Sequence, residues 1–132
     1  MADHDILSKI ISGDEYHIKK FVENNQNEIN KKKYSCGLTN LMVACRLGST
    51  NLIEMLIECG AKVNMEDEHG NTALHYAVKS KQHTLVPLMA SKGANVMKCN
   101  AQGNSLLHLA VETGCKNMVE AVLHVTENKR EQ

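Results

Sequence analysis

The chain has 132 residues, of which 42% are hydrophobic, and this is enough for one domain with a buried core. Its 15 basic and 15 acidic residues cancel, so the bulk charge gives no reason to expect binding to nucleic acid or to an anionic membrane. No apolar run approaches the roughly 20 residues of a membrane-spanning helix. The N-terminal stretch MADHDILSKIISGDEY contains aspartates and alternates apolar with polar residues, so it does not have the pattern of a signal peptide.

The five cysteines are scattered along the chain, and no two of them form a CxxC pair. An odd number at these spacings supports neither a disulfide framework nor a zinc module. Reduced thiols are then the expectation, and they are typical of an intracellular compartment. We therefore expect the protein in the cytoplasm, with the nucleus as a second location, and we expect no metal and no cofactor.

Nearly the same stretch of sequence occurs three times at a constant distance. GLTNLMVACRLG begins at Gly37, GNTALHYAVKSK at Gly70 and GNSLLHLAVETG at Gly103, so the two offsets, 70 − 37 and 103 − 70, are both 33. A period of this size is the signature of stacked structural repeats. The chain is therefore expected to form a solenoid, in which each unit contacts only its neighbours.

The segment 1–33 fits the same period with more differences. Ile29-Asn30 stands where Val63-Asn64 ends the next unit, although the loop that follows is one residue longer. The apolar face of its second helix is expected from Ile18, Phe21 and Val22. We expect this segment to be a divergent N-terminal repeat that caps the stack.

Unit 34–66 predicts two short amphipathic helices, Thr39–Leu47 and Thr50–Cys59. Thr39 suits an N-cap, because its hydroxyl can accept an unpaired backbone N–H of the first turn. Gly48 and Gly60 stand where the helices must end, and Gly48 suits the left-handed conformation of a helix stop. Helices this short are not stable alone in water, where roughly 12–15 residues are marginal, so each pair must pack against the next.

Units 67–99 and 100–132 repeat this plan, and unit 67–99 departs from it twice. Lys81 replaces the helix-ending glycine, at a cost of about 1–2 kcal/mol if it is left-handed. Pro87 falls in the second helix, where it is tolerated in the first turn but kinks a helix at deeper positions. Unit 100–132 keeps Ser105 and Gly114 as its helix signals, and it ends in the polar stretch TENKREQ, as a terminal cap should.

These motifs resemble the ankyrin repeat pattern GxTPLHxA followed by GAxVN. GNTALHYAV at 70–78 differs from it at Ala73, where the family has proline, and CGAKVN at 59–64 and KGANV at 92–96 match the later part. The resemblance covers nearly the whole chain. It implies an all-α ankyrin-repeat solenoid of helix-turn-helix units joined by β-hairpin loops. The expected repeats are 1–33, 34–66, 67–99 and 100–132.

His75 and His108 recur one period apart, which raises the alternative of a paired metal or catalytic site. The repeat already accounts for both, since in ankyrin repeats this histidine hydrogen-bonds neighbouring loops. A catalytic cluster needs groups that converge in a pocket, and no phosphate-binding loop or nucleophile motif is found. We expect no enzymatic activity.

The resemblance implies that a partner binds at the loop tips and at the exposed edge of each first helix, on the concave face. In unit 34–66 the candidates are Tyr34, Ser35, Cys36, Leu38, Arg46 and Leu47. In unit 67–99 they are Glu68, His69, Asn71, Lys79 and Ser80. In unit 100–132 they are Ala101, Gln102, Asn104, Glu112 and Thr113. Tyr34, Leu38 and Leu47 together could anchor a partner; alternatively, the leucine at the tip packs against the N-terminal repeat.

We interpret the chain as a protein-binding module, an adaptor or inhibitor that occupies the surface of a partner. It resembles small inhibitory ankyrin proteins such as truncated viral relatives of the NF-κB inhibitors, but it lacks their phosphorylation motif and acidic tail. The alternative is the ankyrin segment of a larger scaffold, receptor or ubiquitin-ligase-type protein. The expected partner is a folded domain or peptide segment of another protein, with no nucleic acid and no membrane, and the free chain is expected to be monomeric.

Overall fold

The computed structural model describes residues 15–24, 27, 29–32 and 35–130, and these residues form a stack of helix pairs. The α-helices are α1 Glu15–Asn24, α2 Asn40–Leu47, α3 Thr50–Glu58, α4 Ala73–Lys79, α5 Leu85–Ser91, α6 Leu106–Thr113 and α7 Lys116–Arg130. Within the described residues no strand is present. The two helices predicted for unit 34–66 are confirmed to within one residue at each end. Residues 1–14, and the side chains of Ile18, Phe21 and Val22, lie outside the description.

The helices pack in the order of the repeats. The first helices lie side by side, α2 against α4 and α4 against α6, while α3, α5 and α7 each pack on the first helix of their own unit. α1 contacts α3, and α5 contacts α7. This is the nearest-neighbour arrangement of an all-α solenoid. In the described part of the chain, no helix is both long and apolar enough to cross a membrane.

One continuous hydrophobic core runs through the stack. Ala44, Ala77 and Ala110 occupy the same position in three first helices, and all three are completely buried. A methyl side chain at this position lets the first helices of neighbouring repeats approach closely. The larger buried side chains, such as Leu41, Ile53 and Leu74, fill the space around these alanines.

The predicted N-caps are confirmed in all three first helices. Each cap hydroxyl accepts the backbone N–H of the third helical residue, whose side chain accepts the N–H of the cap residue in return. This is a reciprocal capping box in which methionine or histidine takes the place of the usual glutamate. The pairs are Thr39 with Met42, Thr72 with His75, and Ser105 with His108.

The two irregular positions of unit 67–99 behave differently. Lys81 has a φ of 61°, in the left-handed region that Gly48 and Gly114 occupy at 74° and 69°. Pro87 is the third residue of α5, so its missing N–H would have had no partner within the helix, and the helix continues to Ser91. The irregularity of this unit therefore lies at Lys81 and at the start of α5, which begins two residues later than the equivalent helices α3 and α7 because His83 and Thr84 form a turn.

Replacing Lys81 with glycine is expected to raise the free energy of unfolding by about 0.5–1 kcal/mol. The change removes about 1–2 kcal/mol of left-handed strain and costs roughly 0.5–1 kcal/mol of additional chain entropy. Urea unfolding measures the difference. Lys92→Gly is the control, because Lys92 has a φ of −91° with no strain to relieve, and it should give no gain. Equal effects of the two changes would contradict the strain at Lys81.

Candidate partner-binding surface

The loop tips of successive repeats are hydrogen-bonded to one another. The Glu68 N–H donates to the Cys36 carbonyl, and the Ala101 N–H donates to the His69 carbonyl, both at 2.9 Å. Gly70 lies so close to the next tip that an added Cβ would come within 2.8 Å of the Ala101 nitrogen. The tips therefore form one continuous edge of the stack.

In each of the two long loops that the structure describes, a side chain at the start of the loop accepts hydrogen bonds from the loop backbone. Asp67 Oδ1 accepts the backbone N–H groups of His69 and Asn71 at 2.8 and 2.9 Å. Asn100 makes the same pair of bonds, both 3.0 Å, to the two equivalent residues of the next unit. The Asp67 N–H also donates to the Asn71 carbonyl, as in a hairpin. The expected hairpin loops are thus hydrogen-bonded turns, since the structure assigns no strand to these residues.

The structure places the predicted binding residues in three groups. Exposed side chains are those of Cys36, Arg46, Leu47, Glu68, His69, Lys79, Ala101, Gln102 and Glu112. Half-buried side chains are those of Ser80, Asn104 and Thr113, and buried side chains are those of Leu38 and Asn71. Tyr34 and the side chain of Ser35 lie outside the described residues. A partner-binding role for the exposed set stays a prediction.

Leu38 and Asn71 were expected on the surface, and the structure turns both side chains inward. Leu38 joins the hydrophobic core together with Ile29 of the N-terminal repeat, as in the alternative considered for the leucine at the tip. The Asn71 Oδ1 accepts a hydrogen bond of 3.1 Å from Asn100 Nδ2 of the next loop. Both side chains are occupied by the stack itself and are not available to a partner.

Tyr76 is a surface residue that was not among the predicted binding residues. The Arg46 guanidinium lies 6.0 Å from the centre of its ring, and the Lys79 ammonium lies 5.5 Å from it. Its hydroxyl donates a hydrogen bond to Asp67 Oδ2. Burial, together with this hydrogen bond, raises the pKa of Tyr76 to about 12, so the hydroxyl stays protonated at neutral pH. A single aromatic residue thus joins two repeats and one loop.

Asp67, which accepts the hydrogen bond from the Tyr76 hydroxyl, remains ionised at neutral pH. Burial alone would raise the pKa of its carboxyl group, but the hydrogen bonds from the Tyr76 hydroxyl and from the N–H groups of Asn71 and His69 outweigh burial and lower the pKa. The carboxylate is therefore stabilised by hydrogen-bond donors of its own loop and of α4. Within the described residues it forms no ion pair with Arg46 or Lys79.

His75 has the structural role that the repeat predicts. Its Nδ1 accepts the Thr72 N–H at 3.0 Å, so its Nε2 carries the proton and donates to the Lys98 carbonyl of the following loop at 3.1 Å. Burial lowers the pKa of this imidazole. His108 accepts the Ser105 N–H in the same way, at 3.1 Å, but it is exposed. In the described chain, no group of three or more His, Cys, Asp or Glu residues is placed to hold a metal ion.

The C-terminal end of the stack exposes the side chains that stack repeats elsewhere. Leu74 and Val78 are 1% and 0% exposed, whereas Leu107 and Val111, at the equivalent positions of the next unit, are 36% and 62% exposed. We call Leu107, His108 and Val111 the C-terminal stacking face. This face is largely apolar, and it is exposed because no further repeat covers it in the described chain.

The asparagine ties between repeats also stop at this end. Asn64 Nδ2 donates to the Gly93 carbonyl at 3.0 Å, and its Oδ1 accepts the Asn95 N–H at 2.7 Å. One repeat earlier, Asn30 makes the equivalent two bonds: its Nδ2 donates to the Gly60 carbonyl at 3.0 Å, and its Oδ1 accepts the Lys62 N–H at 2.7 Å. The position equivalent to Asn64 in the next unit is Met97, which is exposed and has no amide to make such a tie.

Comparison with known proteins identifies the family to which these repeats belong. A family model described as ankyrin repeats, in three copies, matches residues 6–100. The chain therefore belongs to the ankyrin repeat family, whose members bind other proteins and act as interaction modules that are generally non-enzymatic.

Relatives are matched over single segments of the chain. The chain is 43% identical over 56 residues to an ADP-ribosylation factor GTPase-activating protein of Arabidopsis thaliana, which is 42% of this chain and 7% of that protein. It is 42% identical over 52 residues to an ankyrin repeat protein of fowlpox virus, which is 39% of this chain and 36% of that protein. It is 46% identical over 41 residues to human neurogenic locus notch homolog protein 2, which is 31% of this chain and 2% of that protein. The chain thus spans a minor part of each of these relatives.

Proposed function

We propose that the chain is a non-enzymatic adaptor or inhibitor that occupies the surface of a partner protein through its concave face. We define this face as the exposed and half-buried residues at the ends of α2, α4 and α6, namely Arg46, Leu47, Lys79, Ser80, Glu112 and Thr113, together with the loop tips. The observation that carries the proposal is a contrast within the repeats. The buried position at the centre of each first helix holds alanine in all three units, whereas these outer positions differ from unit to unit.

The contrast is clearest along two rows of equivalent positions. The buried row reads Ala44, Ala77, Ala110, with no variation. The outer row two positions further along each helix reads Arg46, Lys79, Glu112, and the next reads Leu47, Ser80, Thr113. Packing explains the constant row, whereas nothing in the stack requires the changes in the outer rows. Varied side chains on a rigid scaffold are suited to recognising one particular partner.

A second candidate is the ankyrin segment of a larger scaffold, receptor or ubiquitin-ligase-type protein. The exposed C-terminal stacking face favours it, because Leu107 and Val111 have the pattern that buries Leu74 and Val78 against a following repeat. In this form the segment would still bind its partner through the concave face, and the larger protein would supply the remaining activity.

The proposal is tested by affinity capture from a cell lysate with three forms of the chain. Leu47→Arg with His69→Ala alters the concave face, and both side chains are exposed. Lys92→Glu is the control, since Lys92 is exposed at the end of a second helix, away from this face. We expect a protein that is captured by the wild type and the control but lost by the double variant.

Circular dichroism must first show that the double variant keeps the wild-type helix content. A partner that all three forms capture equally would contradict the proposal and would place the binding site on the second helices or at the chain ends.

A further inference from the structure

We infer that Arg46, Tyr76 and Lys79 form a binding site for carboxylate side chains, and that the partner presents an acidic segment to the concave face. The inference rests on the proposed function and specifies the chemistry of its partner. Arg46 lies in the last turn of α2, while Tyr76 and Lys79 lie one turn apart on α4, so the three side chains meet across the boundary between two repeats. Both cationic groups lie within 6.0 Å of the centre of the same ring.

The two cations have no acidic partner among the residues that the structure describes. Within the described residues, neither Arg46 nor Lys79 forms an ion pair. The nearest buried acid is Asp67, whose Oδ1 is occupied by two backbone N–H groups and whose Oδ2 is occupied by the Tyr76 hydroxyl. Two exposed positive charges therefore remain available to a ligand on the concave face.

Tyr76 holds these cations in place before any ligand arrives. Its hydroxyl is fixed by Asp67, which is itself fixed by the loop backbone, so the ring has little freedom. Attraction between a cation and the face of an aromatic ring then restrains the long side chains of Arg46 and Lys79. Because these side chains are already restrained in the free protein, they lose less conformational entropy when a ligand binds. Tyr76 is thus a positioning residue for the two cations.

The spacing of the charges defines the segment that fits. Arg46 and Lys79 occupy the same position in adjacent repeats, and packed helices lie about 8–10 Å apart. A peptide in the polyproline II conformation has three residues per turn and advances about 3.1 Å per residue, so two acidic residues three positions apart lie on the same side, about 9 Å apart, and would face the two cations. The equivalent residue in the next repeat is Glu112. A basic residue a further three positions along would therefore complete the match.

The charges at the equivalent positions Arg46, Lys79 and Glu112 also argue against a nucleic acid as the ligand. A phosphate backbone carries negative charge at every step, and it would meet Glu112 in the third repeat as well as Glu68 at a loop tip, both of which are exposed. A polypeptide can change the sign of its charge from one position to the next. The alternation of charge along the concave face therefore favours an acidic peptide segment.

The test is selection from a phage-displayed library of random dodecapeptides, with the full chain as the target. We expect the wild type to enrich peptides with two acidic residues three positions apart. Arg46→Glu with Lys79→Glu should lose this preference and bind a selected acidic peptide at least about tenfold more weakly. Lys92→Glu with Lys116→Glu is the matched control, because it changes the net charge equally at exposed positions off this face, and it should behave as the wild type.

Two further variants separate positioning from charge. Tyr76→Phe keeps the ring over which the cations lie and should bind the selected peptide within about threefold of wild type, whereas Tyr76→Ala should weaken binding several-fold although no charge is lost. An equal effect of both changes would show that Tyr76 acts only through its hydroxyl bond to Asp67 and would remove it from the site.

The other outcomes contradict the carboxylate site. Acidic peptides that bind the charge-reversed variant as well as the wild type would place their site elsewhere. Neutral or basic peptides that are lost on Leu47→Arg would leave protein binding at the concave face in place but would refute the acidic segment. A selection without enriched peptides would also refute it, and the lysate capture would then decide the proposed function independently.

Discussion

Val78→Glu is expected to unfold the protein or to lower its free energy of unfolding by at least about 4 kcal/mol, whereas Val111→Glu should change it by less than about 1 kcal/mol. The two residues occupy the same position in consecutive first helices, yet Val78 is 0% exposed and Val111 is 62% exposed. A carboxylate at position 78 would be buried between two repeats without a partner. At position 111 it would point into water, and glutamate favours a helix slightly more than valine does.

Urea unfolding followed by the helix signal in circular dichroism measures both changes. A milder pair keeps the comparison measurable if Val78→Glu does not fold. Leu74→Ala should cost about 2–5 kcal/mol as a buried truncation, while the partly exposed Leu107→Ala should cost about 1 kcal/mol or less. Equal losses in the two repeats would contradict an open C-terminal stacking face. Sedimentation velocity would then show whether a second copy of the chain covers it.

The helices and their caps could be predicted because their signals are local and repeated. Thr39, Thr72 and Ser105 each precede a helix and accept its N–H groups, and Gly48 adopts the left-handed conformation expected of it. Lys81 takes the same conformation. A lysine does not by itself indicate it, but the equivalence of Lys81 to Gly48 in the repeat made it predictable. The regular period thus supplied several independent indications of each boundary.

The surface was less predictable because it depends on contacts between repeats. Asn71 is polar and lies beside exposed tip residues, but it is buried because Asn100 of the next loop donates a hydrogen bond to it. Tyr76 was missed because its position is held by Val43 and Leu109 in the other repeats, and its role depends on Arg46 of a different unit. No pattern within a single repeat contains that information.

The exposed C-terminal face is a related case. Leu107 and Val111 have the same residue types as Leu74 and Val78, so composition and spacing cannot distinguish the two sets. They differ only in whether a neighbouring repeat covers them, and that is a property of the stack. One local difference did indicate the end of the stack. Met97 occupies the position equivalent to Asn64, whose side chain hydrogen-bonds one repeat to the next.

His75→Ala is expected to lower the free energy of unfolding by about 2–4 kcal/mol, against about 1 kcal/mol or less for His108→Ala. Both imidazoles cap their helix, but His75 alone is shown to bond the following loop, through the Lys98 carbonyl. Removing the buried ring leaves a cavity and deprives the Thr72 N–H and the Lys98 carbonyl of their partner. At the exposed position 108, water can replace the ring. Urea unfolding of both variants at pH 7.5 measures the difference.

The same pair of variants separates the contribution of His75 to pH dependence. Burial lowers the pKa of His75 below its ordinary value of 6.5, so the unfolded chain takes up this proton at a higher pH than the folded chain does. The contribution of the neutral imidazole to stability is complete above pH 6.5. It is lost progressively as the pH falls from 6.5 towards the folded-state pKa, below which the loss stops increasing. Urea unfolding between pH 7.5 and 5 should therefore show a fall in stability that persists in His108→Ala and is reduced in His75→Ala. If His75→Ala keeps the full slope, the proton uptake belongs to another group. The effect of burial on the pKa of His75 would then be offset by the Lys98 carbonyl and by Asp67, both of which favour the protonated imidazole.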